Sequence, residues 1–140
     1  MPVYKHILYA TDLSDITGAI AEKAAKFAEL FSAKLTLIHT IEPLPAYGYP
    51  GITDLESPLI EQAKTDLAAL GEKLNVKLED QRVEFGSIKR QVLAVAKELG
   101  IDLILVGSHG HHGLSKLLGS NASAIVQGAH CDVFVIRLDD

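Results

Sequence analysis

Cysteine is almost absent from this chain: Cys131 is the single one among 140 residues. No intrachain disulfide can form and a thiolate metal site would need other ligand types, which fits a reducing compartment. Cys131 lies in an apolar run near the C-terminus and reads as a small buried hydrophobe rather than a nucleophile. Basic excess is also missing, since 13 Lys+Arg face 18 Asp+Glu for a formal net charge of −5. Without a cationic run, the electrostatic footprint of a nucleic-acid binder is lacking, and no nucleic-acid partner is expected. No apolar stretch approaches the roughly 20 residues that a membrane helix needs. The opening MPVYKHILYATD has no charged region ahead of a cleavable apolar segment, so a cytoplasmic protein with no membrane partner is expected. Familiar catalytic patterns are missing too. No glycine precedes Lys-Ser/Thr in P-loop spacing, no G-x-G-x-x-G opens the first helix, and no nucleophile is paired with a base and an orienting acid. A Walker-type NTPase, a dinucleotide dehydrogenase and a triad hydrolase are disfavoured, leaving at most a slow ATPase.

What is present is the composition of a compact globular protein, 48% apolar and 22% charged. A chain of this length builds one core, so residues 1–140 are expected to form a single domain. Residues 4–10 are a short apolar run without helical period and predict a strand buried on both faces. Ile16, Ile20, Ala24, Phe27 and Phe31 then recur at helical spacing, with Ser14 or Asp12 available as N-cap. Residues 35–41 predict a second strand. Residues 42–58, with Pro43, Pro45, Pro50, Pro58, Gly48 and Gly51, predict a loop. Ala63, Leu67, Leu70 and Leu74 restore the helical stripe, and residues 76–85 predict a third strand whose polar first half suits a sheet edge. Ile88, Val92, Val95 and Leu99 mark a helix ending at Gly100, where a left-handed cap is expected. Residues 102–106 predict strand four, 120–129 a short helix and 132–138 strand five.

This alternation is a βα repeat without internal duplication. Right-handed crossovers turn it into a five-stranded parallel doubly wound sheet of order 3-2-1-4-5 with helices on both faces, an α/β fold. Ligands bind such sheets at the carboxyl ends of the strands where the order switches, here after strands one and four. Ala10, Thr11 and Asp12 occupy the first place, and the segment beginning at Gly107 the second.

Gly107, Gly110 and Gly113 let the backbone turn sharply and bring N–H groups against an anion. Gly119, Ser120 and Asn121 open a helix whose free N–H groups and positive end attract phosphate, with Ser120 adding a hydroxyl and Lys116 a charge. The plain alternative is a turn followed by a capped helix. Asp12 is placed either to accept hydrogen bonds from ribose hydroxyls and help hold Mg²⁺, or to cap the first helix. His109, His111 and His112 match no established zinc spacing, so no metal site is expected from them. His6 and His39, within strands, are expected to be hydrogen-bonded core or edge residues.

YKHILYATDLSD, KLTLIHTIE and the stretch from FGSIKRQVLAVAKELGIDLILVGSHGHHGLSKLLGSNAS to the C-terminus, in this order, resemble the universal stress protein A family over essentially the whole chain. The resemblance implies an adenine nucleotide α-hydrolase-like fold, usually dimeric, in a stress-response role. Many members bind ATP through a motif written G-2x-G-9x-G-(S/T/N). Gly107-Ser108-His109-Gly110 and Gly119-Ser120 supply its two parts, but residues 111–118 number eight where the motif has nine. By resemblance, Ala10, Thr11 and Asp12 would lie near adenine and ribose, and the backbone of Thr40 would meet the base. Val106 and Gly107 would line the adenine–ribose side, while Gly110, Gly119, Ser120 and Asn121 would hold phosphates. The ligand so implied is ATP or another adenine nucleotide, with Mg²⁺ as a companion. A homodimer through the C-terminal strand is implied as well, since that apolar edge would otherwise stay bare. The competing expectation is a dimeric, chaperone-like interaction protein that binds no nucleotide.

Overall fold

Ile7, Leu8, Leu37, Leu103, Ile104 and Leu105 each expose 0% of their surface. Neighbouring residues of one strand point to opposite faces, so both faces are covered, as in a parallel sheet flanked by helices. The computed structural model describes residues 3–13, 19–43, 53–108 and 120–137. Within them run β1 (His6–Ala10), α1 (Ala19–Leu30), β2 (Lys34–Ile41), α2 (Thr53–Leu74), β3 (Gln81–Phe85), α3 (Ile88–Leu99), β4 (Leu103–Gly107), α4 (Ser120–Gly128) and β5 (Asp132–Ile136). The strands form one sheet in the order β3-β2-β1-β4-β5, every pairing parallel. This is the α/β doubly wound order expected from the alternation.

Each face has its own apolar core. Ile7, Tyr9, Leu37, Leu103 and Leu105 pack against Ala21, Ala24 and Ala28 of α1 and Leu67 of α2. Leu8, Ile38, Ile104 and Val106 pack against Val92, Val95 and Ala96 of α3 and Ala122 and Ile125 of α4. Consecutive helix pairs thus lie on opposite faces, and the connections leaving neighbouring β1 and β4 diverge. In sheets of this kind such a divergence marks the place of a ligand crevice, at the carboxyl ends of the two strands.

Several boundaries differ from the sequence expectations, each for a local reason. β1 begins at His6 rather than residue 4, because Tyr4 serves the core instead of the ladder. Its ring meets Phe31 and Phe134 edge-on at 5.1 and 5.8 Å, and its hydroxyl donates to the Asp132 carboxylate at 2.8 Å. The run 76–85 divides into a 3-10 turn at Leu78–Asp80 and the strand β3. The Asp80 N–H donates to the Lys77 carbonyl at 2.9 Å, closing that turn. The loop expected over 42–58 ends earlier, since α2 starts at Thr53 and takes Pro58 into its first turns. Proline there removes one hydrogen-bond donor, yet its fixed φ is already helical. β4 reaches Gly107, one residue past the expected end, because Gly107 still pairs with Ile136 of β5. Residues 44–52, residue 138, Ser14 and Ile16, all part of the sequence expectations, lie outside the described residues.

Candidate functional site at the carboxyl ends of β1, β2 and β4

Ala10 stands opposite Ile38 on one side and Val106 on the other. Asp12, Thr40 and Ser108 each follow two residues after these partners, at the same end of the sheet. Three separate parts of the sequence are thereby brought to one rim of the sheet.

Thr11 is the anchor of the first part. It is 6% exposed, and its N–H donates to the Ile38 carbonyl at 2.9 Å, extending the ladder past the end of β1. Its Oγ1 accepts from the Leu13 N–H at 3.0 Å. Its carbonyl accepts from Nδ1–H of His39 at 2.9 Å, which fixes the imidazole tautomer because a carbonyl can only accept. Leu13 follows at φ 64°, a left-handed conformation costing a non-glycine residue about 1–2 kcal/mol. The Thr11 hydroxyl holds the Leu13 amide in this turn, and the chain leaves the sheet with Asp12 exposed at the rim. The expectation that His39 is a hydrogen-bonded strand residue holds, but its partner was not legible. Only the pairing of β1 with β2 brings Thr11 and His39 together.

Across the crevice Val106 is 4% exposed, Gly107 is half-buried, and the Ser108 N–H donates to the Ile136 carbonyl at 2.9 Å. The amides of Thr11 and Ser108 therefore serve the sheet. Anion contacts from this rim have to come from other groups. His109, Gly110 and Gly119, together with His111, His112, Gly113 and Lys116, lie outside the described residues. α4 begins at Ser120, with Ser120 and Asn121 exposed in its first turn. The leading N–H groups of a helix have no intrahelical acceptor and form its positive end.

At the end of β2, Thr40 is 7% exposed. Its hydroxyl oxygen is buried and finds no hydrogen-bond partner among the described residues. A buried unpartnered hydroxyl is uncommon in a folded protein and costs about 1–3 kcal/mol. Such an atom at a crevice rim fits a polar ligand group that arrives from outside the fold. Among the described residues no cluster of three or more His, Cys, Asp or Glu could hold a metal ion.

Comparison with known proteins agrees with this architecture. A model of the universal stress protein family matches residues 3–137. Universal stress protein A homolog 1 of Coxiella burnetii is 43% identical over 98% of this chain and 99% of its own length. Universal stress protein UspA from Lactobacillus plantarum shares the fold with a TM-score of 0.79 at 27% identity, covering 96% of this chain and 98% of that one. A universal stress protein solved in complex with cAMP shares it with a TM-score of 0.61 at 24% identity, covering 95% and 96%. With its sheet order, its switch-point rim and these relatives in agreement, the chain belongs to the universal stress protein family.

Proposed function

We propose that this protein binds an adenine nucleotide, ATP foremost, in the crevice between β1 and β4, and acts as a regulatory or protective binding protein in the stress response. The observation that supports this is the rim where β1, β2 and β4 end side by side, with Ala10 between Ile38 and Val106, and where Thr40 carries a buried unpartnered hydroxyl. In this arrangement Ala10, Thr11 and the backbone of Thr40 border the base, and Asp12 accepts from ribose hydroxyls. Val106 and Gly107 line the adenine–ribose side. The phosphates meet the segment Gly107-Ser108-His109-Gly110 and the start of α4 at Gly119, Ser120 and Asn121, where the helix end favours negative charge. Mg²⁺ carried in on the phosphates would find Asp12 as its carboxylate. The cAMP-bound universal stress protein is one case in which this fold admits an adenine nucleotide.

Self-association belongs to the same proposal. β5 is an edge strand, and beside it runs an open groove of about 670 Å³ lined by Phe27, Leu30, Val133 and Val135, with Lys23 and Lys26 at its margin. Leu30 is 75% exposed. Pairing β5 with a second copy would satisfy the edge backbone and cover this apolar surface. A cytoplasmic location is part of the proposal, and no described helix is long and apolar enough to cross a membrane.

Calorimetric titration of ATP into wild type and Gly110→Val tests the nucleotide proposal. Wild type is expected to bind, and the variant to lose affinity at least about tenfold, because a branched side chain occupies space the phosphate needs. Equal affinities would reject the phosphate placement. One sequence feature favours a second reading: eight residues separate Gly110 from Gly119 where the family motif has nine. If that shorter loop closes the site, the protein is a dimeric, chaperone-like interaction protein. It would then show no heat of ATP binding and release no nucleotide on denaturation.

A further inference from the structure

The chain leaves β1 through a turn that is held from several sides. The Leu13 N–H donates to the Thr11 hydroxyl at 3.0 Å, Leu13 itself sits at φ 64°, and its side chain packs part-buried against the core on the α1/α2 face of the sheet. A further hold comes from another strand: Nδ1–H of His39 donates to the Thr11 carbonyl at 2.9 Å. Strand alternation puts His39 on the face of Leu37, toward α1 and α2, and its register neighbour on β3 is the apolar Val83. An apolar side chain would suit that face equally well. Histidine adds a donor, and the donor is spent on the peptide unit that joins Thr11 to Asp12.

Resting on the nucleotide site proposed above, we infer that His39 is a positioning residue for that site: it fixes the Thr11–Asp12 peptide so that the Asp12 carboxylate is set for the ribose hydroxyls before ligand arrives, without itself touching the nucleotide. A peptide unit is planar, so the orientation of the Thr11 carbonyl decides where the backbone enters Asp12 and hence where that side chain departs. Beyond Asp12, the strain of left-handed Leu13 is of the same order as the contribution of one hydrogen bond. Removing the bond from His39 therefore lets the turn relax, and Asp12 moves with it. A ligand then bears the entropy of ordering the turn, and affinity falls although no contact with the ligand has been deleted. Only the donor is required. Asparagine carries its amide nitrogen the same number of bonds from the backbone as Nδ1 of histidine, so it can stand in for the imidazole.

The test compares wild type with His39→Leu, which removes the donor, and His39→Asn, which retains it, each alone and combined with Asp12→Ala. The readouts are calorimetric titration of ATP, thermal melting, and hydrogen exchange of the Leu13 amide in the free protein. His39→Leu is expected to exchange Leu13 at least about fivefold faster and to bind ATP about tenfold more weakly, while His39→Asn stays within about threefold of wild type in both. His39→Gln, polar but with its amide one bond further out, is expected to behave as His39→Leu does, and serves in its place if that variant does not fold. Because His39 acts through Asp12, its loss is expected to weaken binding by less than about twofold once Asp12→Ala is present. An undiminished loss in that background would overturn the inference by making the two effects independent. Lower melting of His39→Leu with unchanged ATP affinity would overturn it by making the histidine purely structural, and so would Leu13 exchange that the substitution leaves unaltered. A wild type that binds no ATP would instead overturn the nucleotide site, and the inference with it, whatever the exchange of Leu13.

Discussion

His6 shows how one side chain of this fold carries a pH dependence. Its Nε2 lies 2.7 Å from the Thr36 hydroxyl. Burial, and after it the positive charge of Lys34, holds its pKa below the ordinary value of 6.5. The folded protein therefore resists taking this proton, while the unfolded chain accepts it near 6.5. As pH falls below that value the unfolded state binds protons first, so the stability contributed by neutral His6 is complete above it and declines as pH drops through the lower folded value. Urea unfolding midpoints are expected to fall between pH 7.5 and 5, and His6→Gln is expected to flatten that part of the profile. An unchanged profile in the variant would assign the dependence to other groups. The sequence correctly suggests a hydrogen-bonded strand histidine at His6 and at His39. It does not name their partners, because these lie one strand away at a register that only chain pairing reveals. Cys131 follows its expectation more simply: it packs part-buried against the α3/α4 core, and burial pushes its thiol pKa up, away from the reactive range.

At the level of elements, three helices end in the same way with three different residues. After α1 the Ala33 N–H reaches the Ala28 carbonyl, after α2 the Val76 N–H reaches Gly71, and after α3 the Ile101 N–H reaches Ala96, at 2.8 to 2.9 Å. The residue before each amide is left-handed: Ser32 at φ 54°, Asn75 at 60° and Gly100 at 66°. This is the Schellman arrangement, which glycine enters without strain, asparagine at modest cost and serine least readily. Ser32→Gly is expected to stabilise by about 0.5–1 kcal/mol and Asn75→Gly by less. Gly100→Ala is expected to destabilise by about 1 kcal/mol, from backbone strain alone, since an added Cβ there meets nothing within 4 Å. Chemical denaturation of the three variants checks the order, and equal effects would refute it. The Gly100 cap is legible in the sequence because glycine announces a left-handed residue. Ser32 and Asn75 give no such sign. Pro58 misleads in the opposite direction, ending a predicted loop while lying inside α2, because proline excludes a donor but not the helical φ.

For the whole molecule, topology was the most legible property. Doubly buried runs such as 103–106 cannot tell where they pair, but alternation with helices and the single hand of crossovers leave few sheet orders. The observed order is the expected one. The rim of the crevice follows from it, since chain continuity alone carries Asp12 and Ser108 there. The orphaned state of Thr40 was not legible, because satisfaction of a hydroxyl depends on neighbours from other strands. The open edge at β5 also acts at this scale. If a second copy covers it, sedimentation of wild type should give twice the chain mass at micromolar concentration. Leu30→Glu, a change at an exposed groove position, should weaken the dimer at least about tenfold. A monomeric wild type would reject that assembly.

The nucleotide site can be located without relying on any one substitution, by following backbone amide signals by NMR while ATP is added to the wild-type protein. The expected result is saturable change centred on Thr11, Asp12, Thr40, Gly107, Ser108, Ser120 and Asn121, with the β5 groove quiet. No saturable change, or change centred on α1 and β5 with the switch-point rim unaffected, would contradict the account.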